Sequence, residues 1–252
     1  MSITKLDLVK APAINTANGN RQILLCSHGI YGGPGVVECH AETLNARLAK
    51  ADVDVCCLLG SPNIAEILPT RTGELTVVPV LMADGFTMNK LRESVAELAV
   101  DTKATVTITP PIGAMPELTE LLINVSLESC KQRGWLPAAT NILLAAHGSK
   151  RVSTTSKTTL FHLDRIRRQN HFAEVEAAFL DQEPFIADKL AAWRQSNSIL
   201  VGLFNDAGPH GKDDLQDLAN QHNGAVEFTG PIGIHVDYAN LIGDLIQSIS
   251  SD

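Results

Sequence analysis

The chain has 252 residues, is 44% hydrophobic and carries a formal net charge of −8, with a mean hydropathy of +0.06. This composition suits a globular protein, and its acidity argues against a general affinity for nucleic acid or anionic membranes. No apolar run approaches the ~20 residues of a membrane helix, and the opening Met1-Ser2-Ile3-Thr4-Lys5-Leu6-Asp7 has no signal-peptide core. The cysteines Cys26, Cys39, Cys56, Cys57 and Cys130 are expected as buried thiols of a reducing compartment, which places the protein in the cytoplasm.

In chain order, short β-rich runs alternate with amphipathic stretches. The first strand is expected at 22–27 and runs into His28. Gly29, Gly32, Gly33 and Gly35 then lead to a helix near 36–49. Their spacing is not Gly-x-Gly-x-x-Gly and no Lys-Ser/Thr follows, so they shape a turn rather than cradle a nucleotide. Strands follow at 53–59, 75–81 and 104–109, with helices near 87–98 and 116–130. The turn-rich Lys131-Gln132-Arg133-Gly134-Trp135-Leu136-Pro137 closes the first half. The second half has strands at 141–146, 174–180, 198–204 and 225–229, and helices near 155–169, 185–195, 211–221 and 236–249. Strands such as Ile142-Leu143-Leu144-Ala145-Ala146 lack polar alternation and should be covered on both faces. Alternating strands and helices imply parallel sheets.

The two halves repeat each other. Ile23-Leu24-Leu25-Cys26-Ser27-His28-Gly29 recurs as Ile142-Leu143-Leu144-Ala145-Ala146-His147-Gly148, 119 positions later, and Pro111-Ile112-Gly113 recurs as Pro231-Ile232-Gly233, 120 positions later. Between them, the run from Val53 to Pro62 aligns without gaps on Val175 to Pro184. Landmarks in one order at nearly one offset indicate an internal duplication, with units 1–133 and 134–252. What the copies share is architecture; what one copy alone retains is a candidate for chemistry.

The second half retains more polar groups. His28 and His147 each follow the first strand of their half, at the sheet edge where ligands of open α/β sheets bind. Asp181 and Glu183 face Leu59 and Ser61. His210 faces Phe86 when counted back from Leu215 and Thr87 when counted forward from the strand, so one residue has been gained or lost. Two imidazoles and one or two carboxylates after three strands are what handling a divalent metal requires. Their dispersal suits an open site rather than a closed structural cage. From Ala145 to Phe172 there are six basic residues and one acid, a local charge that suits a polyanionic small molecule. His40, His162, His171 and His222 fall on predicted helices or loops and are expected at the surface, whereas His235 lies near the ligand edge. No Gly-x-Ser-x-Gly elbow supports a serine hydrolase.

The strand into His147-Gly148-Ser149, the run Ala178-Phe179-Leu180-Asp181-Gln182-Glu183-Pro184, Gly208-Pro209-His210 with Asp213-Asp214-Leu215, and Gly230-Pro231-Ile232-Gly233 resemble the sirohydrochlorin cobalto-/ferrochelatases of the CbiX/SirB family, in the class II chelatase superfamily. The motifs cover nearly all of the second half, and the first half matches as a degenerate copy. The resemblance implies an α/β protein of two duplicated flavodoxin-like lobes, each a small parallel sheet flanked by helices, with a cleft between them. It further implies insertion of Co²⁺ or Fe²⁺ into a tetrapyrrole without nucleotide hydrolysis and without an organic cofactor, the metal being a substrate. Carried over by position, His147 and His210 handle metal and protons, with Glu183 as the accessory carboxylate and Asp181 as its rival, because the loop is about one residue short. Ser149, Lys150, Arg151, Lys212 and His28 are placed to contact the polycarboxylate substrate. Two-lobed members often carry the histidine pair in the N-terminal half, whereas here it is C-terminal. A monomer or weak homodimer without nucleic-acid or membrane partners is expected. The alternative is a tetrapyrrole or metal carrier on a degenerate chelatase fold.

Overall fold

The computed structural model describes residues 21–100, 102–149, 154–222 and 225–249. Strands β1 (Arg21–Ser27), β2 (Ala51–Cys57), β3 (Thr72–Pro79) and β4 (Lys103–Ile108) form one parallel sheet in the order β2-β1-β3-β4. Strands β5 (Asn141–Ala146), β6 (Val175–Phe179), β7 (Ser198–Gly202) and β8 (Val226–Pro231) repeat that order as β6-β5-β7-β8. All six residues of β5 are buried, because helices cover both faces of an apolar central strand. The first strand of each half lies between the second and the third. The loops after three consecutive strands therefore adjoin at the carboxyl edge, beside the switch in strand order.

The helices are α1 (Val37–Arg47), α2 (Ile64–Ile67), α3 (Phe86–Leu98), α4 (Leu118–Arg133), α5 (Thr154–Gln169), α6 (Ile186–Ala192), α7 (Asp214–Asn220) and α8 (Tyr238–Ser248). Helix α2 was not legible from periodicity, being a single turn held by a capping box between Asn63 and Glu66. Helix α4 runs three residues beyond its expected end and stops at Gly134, whose φ of 67° is the left-handed cap that glycine takes without penalty.

The terminal helix of each half lies on the opposite lobe. Helix α4 packs on α5, β7 and β8, whereas α8 packs on α1. Arg21 Nη1 donates to the Ile246 carbonyl at 2.9 Å, and Arg47 reaches Asn240 Oδ1 at 2.7 Å and Asp244 Oδ1 at 3.1 Å. One apolar core consequently joins Ile23, Leu25 and Val78 to Ile142, Leu144 and Val201 through Leu118, Leu122, Ile242 and Ile246. This shared core runs across the repeat boundary near 133, while a second apolar core lies wholly within each lobe, around Leu24 and Val77 in one and Leu143 and Leu200 in the other.

The expected surface positions of His40 and His162 are corrected: they are 5% and 0% exposed. Both lie on the first helix of their half and turn toward the other lobe. His40 Nε2 lies 2.8 Å from the Gly233 carbonyl, and His162 Nε2 lies 2.8 Å from the Gly113 carbonyl. Cys39 is exposed while the other four cysteines are buried, which corrects its expected burial. No described helix is long and apolar enough to cross a membrane.

Candidate active site

His147 follows the last residue of β5, and the backbone there is fixed on both sides. The Asp181 N–H donates to the His147 carbonyl at 3.0 Å, and the Gln182 side chain accepts the Ser149 N–H at 2.7 Å. Gly148, at φ 74°, makes the turn that this close approach requires. The result places His147 Nδ1 3.4 Å from Asp181 Oδ2 and 3.2 Å from the Gly148 carbonyl. Both side chains remain open to solvent, His147 at 42% and Asp181 at 60% exposure. Of the two rival carboxylates, Asp181 is therefore the one that meets His147. Glu183 is exposed two residues further along the same loop.

The first half keeps the backbone frame and lacks the carboxylate. The Leu59 N–H donates to the His28 carbonyl at 2.9 Å, as Asp181 does to His147, and His28 Nδ1 lies 3.2 Å from the Gly29 carbonyl. The carboxylate position is occupied by Leu59, which is 56% exposed. Tyr31, on the loop beyond β1, and Phe86, at the start of α3 beyond β3, are 81% and 63% exposed. The amino-terminal lobe thus presents apolar side chains at the edge where the other lobe presents polar ones.

Between β7 and α7, the equivalence of the halves can be settled from the backbone. Gly113 N–H donates to the Leu81 carbonyl and Gly233 N–H to that of Phe204, each at 2.9 Å. Leu81 therefore corresponds to Phe204, Ala83 to Asp206 and Thr87 to His210, which selects the forward count. The fully buried Leu91 and Leu215 also correspond, yet the second half has one residue more before its leucine. A π-helical turn over Pro209–Asp213 absorbs it; such turns are local widenings of a helix and recur at functional sites. The helix expected at 211–221 is accordingly a π turn followed by α7. His210 sits on this turn, in the connection that follows β7, and β7 pairs directly with β5. Its side chain, together with Lys150 and Arg151, lies outside the described residues.

Lys212 is exposed on the same turn, and Ser149 is half-buried beside His147. The basic stretch is partly structural. Arg165 Nε donates to Thr119 Oγ1 at 3.2 Å, while Arg167 binds the Val175 carbonyl at 2.8 Å and Glu176 at 3.2 Å. His235 Nδ1 stands 3.8 Å from its neighbour Asp237. Among the described residues, no three His, Cys, Asp or Glu side chains converge as a metal cage.

One polar residue of this edge escaped the sequence reading. Asp206 Oδ1 accepts the Val36 N–H at 2.7 Å, from the other lobe. Burial raises its carboxyl above the ordinary value of 3.8, against the opposing effects of the Val36 N–H and of His40. The signal was available, since Asp206 replaces Ala83 just as Asp181 replaces Leu59.

The CbiX family model matches residues 22–129 and again 141–249, once in each lobe. The chain belongs to the CbiX family. A probable sirohydrochlorin cobaltochelatase of Halobacterium salinarum is 22% identical over 218 residues, covering 77% of this chain and 74% of its own. Among solved structures, CbiX, the terminal enzyme for siroheme biosynthesis in denitrifying bacteria, superimposes with a TM-score of 0.74 at 27% identity, covering 90% of this chain and 99% of the other. SirB from Bacillus subtilis with Fe³⁺ gives 0.77 at 15% identity over 92% and 96% of the two chains, a likeness of fold. The two duplicated α/β lobes of this CbiX protein are thus the chelatase architecture, and the named relatives are enzymes.

Proposed function

We propose that this CbiX protein inserts a divalent metal, Co²⁺ or Fe²⁺, into a tetrapyrrole such as sirohydrochlorin. Membership of the family carries the activity, and the His147–Asp181 contact at the end of the central strand carries the location. Insertion must remove two N–H protons from the macrocycle while the metal sheds water. With Nδ1 turned toward Asp181, Nε2 of His147 is the nitrogen we assign to the metal, the carboxylate orienting the ring. His210, on the adjoining loop, supplies the second imidazole. One histidine leads the metal in while the other takes the two protons in turn, each passed through a solvent-open carboxylate to water. Asp181 has the geometry for that carboxylate, with Glu183 retained as its rival.

The apolar edge of the amino-terminal lobe then faces the ring of the substrate, and Lys212, with Lys150 and Arg151, answers its carboxylates. His28 and Ser149 are the remaining candidates for substrate contact. No step calls for a nucleotide or an organic cofactor. An anaerobic absorbance time course with sirohydrochlorin and Co²⁺ or Fe²⁺, beside a His147→Ala control, tests the reading. Insertion faster than the protein-free blank and lost in the control is expected. Binding without insertion would instead support the carrier alternative.

A further inference from the structure

We propose that Asp206 is a positioning residue that seats the His210 segment on the amino-terminal lobe, so that the degenerate lobe fixes part of the working site. The proposal rests on the assignment of His210 to that site. Helix α1 has no side-chain cap of its own, which leaves N–H groups at its head in need of acceptors. The Asp206 carboxylate supplies one through the 2.7 Å bond from Val36, and the positive end of the helix dipole favours its charge.

The contact is tightly built on both sides. Gly35 has φ 76°, and a Cβ there would collide with the Asp206 carboxylate. A Cβ on Gly208 would lie 2.7 Å from Ile30 Cδ1, another residue of the amino-terminal lobe. One on Gly211 would strike the Asp206 carbonyl oxygen. At the start of the segment, the buried Tyr238 hydroxyl donates to Asn205 Oδ1 at 3.1 Å, from a helix that itself packs on α1. The stretch 205–211 is therefore clamped by the amino-terminal lobe at Asp206 and Gly208, and at Asn205 by α8, which packs on that lobe. Ala83, at the equivalent place in the first half, cannot make such a bond, and no histidine follows it there.

Asp206 touches neither metal nor macrocycle on this reading, so its loss should alter turnover rather than substrate capture. In the full chain, Asp206→Ala is expected to lower kcat by at least about tenfold, as misplaced catalytic groups do, with KM for the tetrapyrrole within about twofold. Asp206→Asn, which keeps an acceptor for the Val36 N–H, should restore most of that loss. Val36→Pro removes the donor from the other lobe and should reproduce the Asp206→Ala defect, with little further loss in the double variant; it carries the test if Asp206→Ala fails to fold. The His210 imidazole NMR signal gives a reading independent of activity and should shift in Asp206→Ala and return in Asp206→Asn. Wild-type kcat with an unmoved His210 signal would overturn the proposal. If the wild type inserts no metal, the proposed function falls, and the His210 signal alone decides: a shift supports the positioning role, and an unmoved signal overturns it.

Discussion

His40 Nε2 donates to the carbonyl of Gly233 in the opposite lobe at 2.8 Å, and the internal symmetry repeats the bond from His162 to Gly113 at the same distance. Because a carbonyl only accepts, Nε2 carries the proton in both rings. In His162 the remaining nitrogen, Nδ1, lies 2.9 Å from Thr119 Oγ1, whose hydroxyl donates to it while accepting from Arg165 Nε. Both imidazoles are thus held neutral, and burial lowers the pKa of each below 6.5. The pair latches each Pro-Ile-Gly turn to the first helix of the other lobe.

A pH dependence follows from these latches. A group whose folded pKa is depressed contributes stability that is present above the unfolded pKa and is lost as pH falls toward the folded value. Stability should therefore decline as pH falls below 6.5, the ordinary histidine value, well above the range in which carboxylates protonate. Asp206 works in the opposite direction, its raised carboxyl favouring the fold as pH falls toward 3.8. Urea midpoints at pH 7.5 and 5.5 (about one unit either side of a free histidine) should differ in the wild type and differ less in His162→Gln. His162→Ala, which leaves the Gly113 carbonyl and Thr119 hydroxyl without their partner, should cost about 3 kcal/mol at neutral pH. An equal pH dependence in His162→Gln and wild type would contradict the assignment.

The exchanged helices predict how the chain responds to being cut. Expressed alone, 1–133 carries α4 without β7 and β8 beneath it, and 134–252 carries α8 without α1. Each half would expose the inner face of a shared core, an apolar surface larger than soluble monomers tolerate. The separate halves should aggregate or self-associate, and co-expression should recover a soluble 1:1 complex. Two stable monomeric halves, seen by sedimentation, would show that the core does not need the exchange.

Gly148 offers a local test of the site. At φ 74°, alanine incurs left-handed strain of about 1–2 kcal/mol. Its Cβ would also lie 2.7 Å from Gln182 and 2.8 Å from Phe179. Gly148→Ala should therefore shift His147 away from Asp181 and depress insertion. Gly134→Ala has a similar φ of 67° with nothing within 4 Å of its Cβ, far from the site at the end of α4. It should lose comparable backbone stability and keep its insertion rate. Equal rates in the two variants would remove His147 geometry from the explanation.

Much of this arrangement was legible because the sequence contains its own comparison. Repetition of the strand into His28 and His147 placed both imidazoles at the carboxyl edge of their sheets, and unbroken apolar strands such as β5 identified the covered sheets. The misreadings of the two buried histidines share one physical cause. His40 and His162 look like surface residues on amphipathic helices, but the helices face the other lobe, and tertiary contacts across more than 190 and about 50 positions are invisible to local pattern. Helix α2 is too short to show a period. The single extra residue near His210 was counted correctly, yet only the backbone shows that a π turn absorbs it.

The division of labour between the two acids can be settled by substitution. Asp181 Oδ2 stands 3.4 Å from His147 Nδ1, whereas Glu183 is exposed further along the loop. An acid that orients an imidazole and receives its proton contributes on the order of 10²–10⁴ to rate when it is in reach. Asp181→Asn keeps the shape and an acceptor oxygen but removes the charge, so it should lower kcat by at least about tenfold while leaving tetrapyrrole KM nearly unchanged. Glu183→Gln should remain within about threefold of wild type, the effect expected of an exposed charge near an ionic substrate. The steady-state rates of both variants, measured at one ionic strength with the same metal, distinguish the roles. A large loss in Glu183→Gln with a wild-type-like Asp181→Asn would transfer the role to Glu183. It would also require the loop to swing toward His147 when substrate binds.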